Sequence, residues 1–351
     1  MEHLIRIAAM LALGLWVTGA SAGTFSVPAI EFDPEQYVCP KATEPPVIDG
    51  RLDDPAWAAA PLTGEFVDIE GPSKPHPTLP TRARMTWDDD YFYVAAEMVE
   101  PHLWGTLTER DAVIYHDNDF EVFIDPDGDN HHYYELEINA LGTEWDLFLI
   151  KPYRDGAPAI NAWDIQGLKT AVHLDGTLND PSDTDRGWSV EIAIPWKVLA
   201  EAAGRPAPPA PGDVWRVNFS RVQWQLDIVE GGYVKKPDTP ENNWVWSPQG
   251  LVAMHYPEMW GEVLFANGDQ SFEDSAEHRA ISGAANLMPI YYAQRQFHED
   301  NGRYARDMVE LGLPPTRGFE VRGDGDRFFA RFTGGYGTAT IDETGRLRRL
   351  P

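Results

Sequence analysis

The sequence predicts a mainly β chain, in which an antiparallel β-sandwich of jelly-roll type precedes a small α+β domain. Three observations predict this class. Apolar and polar residues alternate with a period of two in many short runs between about residues 43 and 267. Turn-rich segments join these runs, which favours a sandwich over alternating strands and helices. After Gly268 the apolar residues recur at helical spacing.

The strand-like runs of the first region are short and rich in aromatic and β-branched residues. In residues 133–139, for example, Tyr133, Glu135 and Glu137 fall on one face, and Tyr134 and Leu136 fall on the other. Such alternation places one face of each strand on a core. The runs are 91–96, 120–124, 133–139, 188–194, 215–220 and 260–265, with one short helix predicted at 196–203.

The second region begins near residue 268. Apolar side chains spaced three and four apart predict one helix of about six turns over residues 275–300. Three strand-like runs follow Pro314 and Pro315, at 318–322, 328–332 and 336–341. The sequence therefore predicts a small α+β domain over 268–351.

The charge of the chain restricts its partners. With 28 basic and 56 acidic residues the formal net charge is -28. Such a surface repels nucleic acid and anionic membranes, so we expect neither as a partner. Neutral ligands and divalent cations suit it better, although solubility alone would also explain the charge.

The amino-terminal segment has the features of an export signal. Residues 1–22 combine a positive start, a short apolar stretch and small residues before a cleavage site, which predicts a periplasmic or extracellular protein. No later apolar run reaches about 18 residues, so no membrane insertion is expected. Residues 23–42 are interpreted as an exposed lead-in. The single cysteine, Cys39, excludes an internal disulfide and is expected to be buried.

Four motifs occur in a fixed order along the sandwich region: IDGRLDDPAW (48–57), WDDDYFYV (87–94), DNDFEVFID (117–125) and GWSVEIAIPWK (187–197). In this order they resemble carbohydrate-binding module family 9, over about residues 43–267. The resemblance implies a β-sandwich that binds sugars and performs no chemistry on them.

The resemblance also implies a site. In the family two aromatic rings sandwich a terminal sugar, and the matching positions here are Tyr115, six residues before Glu121, and Glu121 itself as the acid that bonds hydroxyls. The second ring has no matching tryptophan, and Tyr256 or His255 is the expected substitute. Glu137 stands where the family has an arginine.

Other candidates follow from sugar chemistry, because flat rings stack on C–H faces and amides bond hydroxyls. Trp163, Trp244 and Trp246 lie in polar or loop-like contexts, and Asn139 and Asn243 offer amides. These five side chains are predicted to join Tyr115, Glu121 and Tyr256 in a carbohydrate site. Burial in the core is the alternative for each tryptophan.

Two acidic groups are candidates for other chemistry. Asp125, Asp127 and Asp129 alternate across a glycine turn, as hard oxygen ligands for Ca²⁺ do, and a plain acidic turn is the alternative. Glu135 and Glu137 are about 6.6–6.8 Å apart on one strand face, a separation that glycosidases use. We expect both to be solvated and therefore predict no enzyme activity.

The sequence thus predicts exported, non-catalytic binding of a sugar or polysaccharide, in support of carbohydrate catabolism. Two alternatives remain. Residues 291–314 loosely resemble the helix-to-head segment of pilins and pseudopilins, which indicates an envelope assembly module with an envelope protein partner. A haem-binding relative of the same sandwich superfamily would use Met254 or His255 as axial ligand.

Overall fold

The computed structural model describes residues 25–350, so the signal peptide predicted at 1–22 lies outside the described residues. The strands, in chain order, are β1 (Gln36–Pro40), β2 (Val67–Asp68), β3 (Thr81–Trp87), β4 (Tyr91–Val99), β5 (Asp119–Asp125), β6 (Tyr133–Asn139), β7 (Glu144–Leu149), β8 (Ala159–Ile160), β9 (Lys169–Asp175), β10 (Gly187–Pro195), β11 (Val214–Gln223), β12 (Leu226–Val229), β13 (Gly232–Lys235), β14 (Asn242–Val245), β15 (Gly261–Ala266), β16 (Phe319–Gly323), β17 (Phe328–Gly334), β18 (Gly337–Asp342) and β19 (Arg348–Leu350). The helices are α1 (Pro55–Ala59), α2 (Trp196–Leu199), α3 (Ala276–Ala285) and α4 (Met288–Asn301), with 3-10 turns at Ile114–His116, Tyr153–Asp155 and Pro257–Met259.

Two sheets face each other across the main core. The nine-stranded sheet has the order β1-β15-β11-β5-β6-β7-β8, with β14 paired to β11 and β2 to β14. The opposing sheet has the order β3-β4-β10-β9. Alternate residues of both sheets, such as Val122 of β5 and Val94 of β4, meet in one buried apolar cluster. The predicted antiparallel β-sandwich is confirmed.

The segment before residue 43 is part of the sandwich. Strand β1 pairs in parallel with β15, and it buries Tyr37 and Cys39 in the main core. The interpretation of 23–42 as an exposed lead-in is therefore wrong for β1, because five residues are too few for alternation to stand out. Cys39 is a free, fully buried thiol, as expected.

The first and fourth sequence motifs meet at Glu191, which is fully buried on β10. Its Oε2 accepts hydrogen bonds from the amides of Asp49 (2.8 Å) and Gly50 (2.6 Å), and its Oε1 accepts one from Trp57 Nε1 (2.5 Å). Gly50 adopts φ +88°, and a Cβ there would lie 2.6 Å from the backbone of His173. The turn therefore requires glycine. One carboxylate thus anchors the opening turn and α1 onto the small sheet.

The carboxy-terminal unit has its own core, formed by α3, α4 and the four-stranded antiparallel sheet β16-β17-β18-β19. The single helix predicted over 275–300 is two helices. α3 ends at Ala285 and α4 begins at Met288, because Pro289 has no amide hydrogen and fits only the first turn of a helix. None of the helices within residues 25–350 combines the length and the apolar character that crossing a membrane requires.

The carboxy-terminal unit docks on the acidic turn that follows β5. Arg346 Nε donates to Asp129 Oδ2 (2.5 Å), Leu347 donates its amide to the Asp129 carbonyl (2.9 Å), and Arg349 donates to the Asp127 carbonyl (2.9 Å). Turn 125–130 is therefore an anchor between the sandwich and the second unit.

Candidate functional site on the outer face of the large sheet

The candidate site lies on the face of the nine-stranded sheet that points away from the main core. Because Val122 enters that core, its neighbours Glu121 and Phe123 point to the outer face. The register places Glu121 of β5 opposite Glu137 of β6. Asp119, Glu121, Glu135 and Glu137 thus form a patch of four carboxylates, called the acidic floor below.

The acidic floor is withdrawn from solvent. Each of its four side chains is at most 4% exposed. Loss of solvent raises the pKa of Glu121 to about 7, and it raises the pKa values of Asp119, Glu135 and Glu137 well above their usual range, with repulsion between the carboxylates adding to the effect. The expectation that Glu135 and Glu137 are solvated is wrong. Alternation shows on which face of the sheet a residue lies, but not whether other segments shield that face from solvent.

Aromatic side chains border the acidic floor. Trp145 of β7 stands opposite Glu137, and the amide of Tyr115 donates to Glu137 Oε2 (2.9 Å). The rings of Tyr115 and Trp145 have centroids 6.4 Å apart and are tilted by 32°. Tyr115 is 37% exposed and Tyr153 is 51% exposed, so both rings can be contacted from outside. Tyr115, Trp145 and Tyr153 are called the aromatic rim below.

Two further side chains hold this rim. Trp224 Nε1 donates to the carbonyl of Tyr115 (2.9 Å). The ring of His255 lies edge-on to Tyr153, with centroids 4.4 Å apart, and its Nδ1 is hydrogen-bonded with the hydroxyl of Tyr133 (2.9 Å). Desolvation lowers the pKa of His255 to about 3, so its imidazole is neutral. One nitrogen of the residue considered as a haem ligand is thus already hydrogen-bonded within the sheet surface.

The structure places three predicted site residues on this face. Tyr115 and Glu121 meet there through Glu137. Asn243 of β14 is partly exposed. It lies two residues before Val245, whose side chain packs on the outer face, so both point to that face. Trp145 and Tyr153 were not predicted as ligand contacts, although Trp145 shares the outward face of its strand with Leu147 and Leu149.

Three predicted tryptophans lie elsewhere. Trp244 and Trp246 are 6% and 2% exposed and belong to the core between the sheets, where Trp246 packs on Phe219. Trp163 packs against Tyr134 at the inward side of the sheet edge, with centroids 5.2 Å apart. None of these three rings reaches the outer face. The alternative of core burial holds for Trp244 and Trp246, whereas Trp163 is only partly buried and its indole donates to the exposed Glu201 (3.1 Å).

Two other residues predicted to contact a sugar bond to the protein itself instead. Asn139 donates to the carbonyl of Leu107 and to Asp117, and its Oδ1 accepts from the amides of Leu141 and Thr143, which uses both donors and both acceptor positions. Its role is to close the β6–β7 turn.

Tyr256 is 4% exposed. It stacks on the guanidinium of Arg154, 4.2 Å from the ring centroid, and donates its hydroxyl to the carbonyl of Ser26. It is therefore a packing residue and does not supply the second ring of a sugar sandwich.

The acidic turn predicted to bind calcium does bring its carboxylates together. One oxygen from each of Asp125, Asp127 and Asp129 lies within 4.8 Å of the others. Burial raises the pKa of Asp127 to about 6, and Arg346 and Arg349 act in the opposite direction. Arginines of the carboxy-terminal unit therefore already supply positive charge to this turn.

A separate cavity of about 700 Å³ lies on the outer face of the small sheet. Its charged lining includes Arg51, Arg82 and Arg186 opposite Glu65 and Glu97. None of the predicted sugar contacts lines it. This cavity is a second, chemically different surface, and it serves as the alternative location for a bound ligand.

Comparison with known proteins finds partial relatives among characterised enzymes. The chain is 28% identical over 151 residues to "Exoglucanase XynX" of Acetivibrio thermocellus and over 159 residues to "Endo-1,4-beta-xylanase A" of Thermoanaerobacterium saccharolyticum, matches that cover 43% and 45% of this chain. The chain spans only 12% of the length of each of these relatives.

Among solved structures, a family 9 carbohydrate-binding module of Caldicellulosiruptor kristjanssonii in complex with cellotriose is 17% identical, with a TM-score of 0.44, covering 66% of this chain and 94% of that one. A putative carbohydrate-binding protein of Bacteroides uniformis ATCC 8492 is 16% identical, with a TM-score of 0.46, covering 66% of this chain and 100% of that one.

A family profile described as carbohydrate family 9 binding domain-like matches residues 48–263, more than half of the chain. This range runs from the opening turn to β15 and so contains the acidic floor and the aromatic rim. The chain belongs to the carbohydrate family 9 binding domain-like family.

Proposed function

We propose that this chain binds a sugar or polysaccharide, without catalysis, on the outer face of the nine-stranded sheet. The observation that carries the proposal is the pair of exposed rings, Tyr115 and Tyr153, beside carboxylates on a sheet face of this family. Aromatic rings stack on the C–H faces of a sugar, and acids accept hydrogen bonds from its hydroxyls. Similarity to a module solved with cellotriose makes a β-linked glucan the first ligand to test.

The test is a calorimetric titration of the full chain with glucose, cellotriose and xylo-oligosaccharides. Tyr115→Ala removes an exposed ring but keeps the backbone bonds to Glu137 and Trp224. We expect this change to weaken binding about tenfold, which corresponds to about 1.4 kcal/mol. The matched control is Tyr336→Ala, because Tyr336 is 62% exposed in the carboxy-terminal unit.

Two results would contradict the proposal. One is the absence of heat with every sugar. The other is an equal loss of affinity in Tyr115→Ala and in Tyr336→Ala. A release of reducing ends from cellotriose or xylan by the full chain would contradict the non-catalytic part alone.

Export, and a supporting role in carbohydrate catabolism, belong to the same proposal. They rest on the amino-terminal sequence and on similarity to an exoglucanase and a xylanase. Mass spectrometry of the secreted fraction tests export, with a mature chain beginning at Gly23 as the expected product. A chain that still begins at Met1 would contradict it.

Calcium at Asp125, Asp127 and Asp129 is proposed as a weak ligand of the acidic turn. The convergence of three oxygens supports it, and the competing Arg346 and Arg349 place the expected dissociation constant in the range of about 10⁻⁴–10⁻³ M. A thermal melt with and without chelator tests it, since specific binding raises the midpoint. An unchanged midpoint at about 5 mM Ca²⁺, well above that range, would contradict it.

The envelope-assembly alternative concerns the carboxy-terminal unit. A helical segment followed by a four-stranded sheet is the feature that favours the pilin-like interpretation. The expected consequence is that removing residues 275–351 abolishes localisation while sugar binding survives. Normal localisation of the shortened chain would contradict it.

A further inference from the structure

We propose that Lys235 makes the carbohydrate site prefer acidic sugars, by pairing its ammonium with the carboxylate of a uronic acid unit. The proposal rests on the carbohydrate site proposed above and names the class of sugar that this site takes. It follows from the position of Lys235 beside the aromatic rim, from the lack of an acidic partner for its ammonium, and from the weak negative charge of the neighbouring acidic floor.

Lys235 lies at one end of the aromatic rim. Its Nζ is 3.5 Å from the ring centroid of Trp224, which is partly exposed. Trp224 in turn donates from Nε1 to the carbonyl of Tyr115 (2.9 Å). The ammonium is therefore one indole away from Tyr115, the exposed residue on whose ring a sugar is expected to stack.

A short hairpin holds Lys235 in this place. Its strands β12 and β13 pair antiparallel, and the amide of Lys236 donates to the carbonyl of Gln225 (2.8 Å). Tyr233, two residues before Lys235 and on the same face of β13, is hydrogen-bonded with His102 (3.1 Å). The side chain of Lys235 thus starts from a strand that is fixed to the sandwich.

The ammonium of Lys235 has no acidic partner. No carboxylate oxygen among residues 25–350 lies within 4.0 Å of it. By contrast, the ammonium groups of Lys41 and Lys74 each lie 2.5 Å from a carboxylate oxygen. A second indole, that of Trp104, has its ring centroid 5.9 Å from the Lys235 ammonium. Ring faces attract a cation but offer no lone pair to its N–H donors.

Partial burial makes the missing partner costly. Loss of water lowers the pKa of Lys235, whereas the charges of Asp117 and Glu241 act in the opposite direction. Asp117 is already engaged, because its Oδ2 accepts from the amides of Thr106 (2.7 Å) and Leu107 (2.8 Å). The ordinary lysine pKa of 10.5 lies far enough above neutral for the ammonium to stay charged. A charged group that has lost water without gaining an ionic partner is stabilised by an incoming anion.

The acidic floor does not exclude an anionic sugar. Its four carboxylates are at most 4% exposed, and desolvation raises all their pKa values, that of Glu121 to about 7. Much of the floor is therefore protonated at about pH 6.5, whereas a uronic acid with the pKa of an ordinary carboxyl is ionised there. At this pH the Lys235 ammonium attracts the sugar carboxylate with little opposition from the floor.

A second cationic surface competes for the same anion. The cavity on the small sheet is lined by Arg51, Arg82 and Arg186. Arg82 and Arg186 are already paired with Glu65 and Asp175. The ammonium beside the aromatic rim is unpaired and adjoins exposed rings, so the acidic sugar is expected there, and the test must separate the two surfaces.

The test compares methyl β-glucoside with methyl β-glucuronide in calorimetric titrations of the full chain at about pH 6.5. The two sugars differ only at C6, which is a hydroxymethyl group in the first and a carboxylate in the second. Neither monosaccharide is held in one register along the site, so the carboxylate is free to reach Lys235. We expect the glucuronide to bind at least about fivefold more tightly, as a partly exposed charge-assisted hydrogen bond allows.

Variants assign this preference to one ammonium. Lys235→Met removes the charge and keeps an unbranched apolar side chain, so the ratio of the two affinities should fall below about twofold, with most of the loss in the glucuronide. Lys235→Arg retains the charge and should retain the preference. The matched control is Lys169→Met, because the Lys169 ammonium also lies over an aromatic ring, that of Tyr91 (4.4 Å), but on the small sheet. If Lys235→Met does not fold, Lys235→Gln replaces it.

Four results would overturn the proposal. The first is equal affinity of the wild type for the two sugars, which would leave the carbohydrate proposal intact. The second is a preference that survives in Lys235→Met, which would move the anion to another surface such as the arginine-lined cavity. The third is an equal loss of preference in Lys169→Met. The fourth is binding of neither monosaccharide, and it concerns this proposal alone, since cellotriose and xylo-oligosaccharides decide the carbohydrate proposal.

Discussion

The anchoring role of Glu191 leads to a sharp stability prediction. This fully buried carboxylate accepts three hydrogen bonds between the opening turn and β10. In Glu191→Gln the amide oxygen can keep the two backbone donors, Asp49 and Gly50. The new NH₂ group then faces Trp57 Nε1, which is also a donor, so one buried hydrogen bond is lost.

The magnitude follows from that single loss. A buried donor left without a partner costs about 1–3 kcal/mol. We therefore expect Glu191→Gln to lower the free energy of unfolding of the sandwich by about 1–3 kcal/mol. For a domain of this size the melting temperature falls by about 2–4 °C per kcal/mol. Differential scanning calorimetry measures both quantities on the full chain.

The chain offers a matched control. Glu201 also accepts a hydrogen bond from an indole, that of Trp163 (3.1 Å), but this bond is exposed. Glu201→Gln should change the free energy of unfolding by no more than about 0.5 kcal/mol. If Glu191→Gln were as mild as Glu201→Gln, the anchoring role of Glu191 would be refuted.

Three further predictions concern other parts of the molecule. Gly50→Ala should destabilise the sandwich by at least about 2 kcal/mol, because φ is +88° and the new Cβ would lie 2.6 Å from backbone. In the control, Gly64→Ala, the new Cβ has no atom within 4 Å, so the loss of stability in a thermal melt should be small. Arg346→Ala removes a guanidinium from Asp129 and should speed proteolytic release of the carboxy-terminal unit. The control, Arg322→Ala, removes an exposed guanidinium from the sheet of that unit and should not speed release. Equal release rates in the two variants would contradict the prediction. Because burial raises the pKa of Glu121 to about 7, above its usual 4.5, the stabilising contribution of this group is fully present below about pH 4.5 and is lost as the pH rises towards 7. Urea denaturation in chelator should therefore show a smaller loss over this window in Glu121→Gln, and equal losses would refute the assignment.

The strands that sequence predicted best are those whose alternation is long and local. The predicted 133–139 coincides with β6, and 120–124 lies within β5. The edge strands β1 and β2 were not predicted. They have only five and two residues, and they form only by pairing with strands far along the chain. Pro289 indicates the break between α3 and α4. It was missed because the apolar spacing continues across the break and predicts one helix.

The site was only partly predictable for a different reason. Sequence gives the face on which a residue lies, but it does not give what covers that face. Trp244 and Trp246 have polar neighbours, yet β14 and the residue that follows it place both rings in the main core. Conversely, Glu135 and Glu137 alternate like solvated residues, yet they are only 4% and 2% exposed, and the amide of Tyr115 donates to Glu137. Only tertiary packing decides such cases.

Sugar binding on the outer face of the nine-stranded sheet is best tested by locating the bound sugar on this face or on the cavity of the small sheet. Hydrogen–deuterium exchange of the full chain, with and without the soluble sugar that gives the largest calorimetric signal, reports this. If the sugar binds on the outer face of the large sheet, exchange slows at residues 114–121 and 144–149, next to the aromatic rim. Protection confined to the cavity formed by Arg51, Arg82 and Arg186 on the small sheet, or no protection at all, would contradict it.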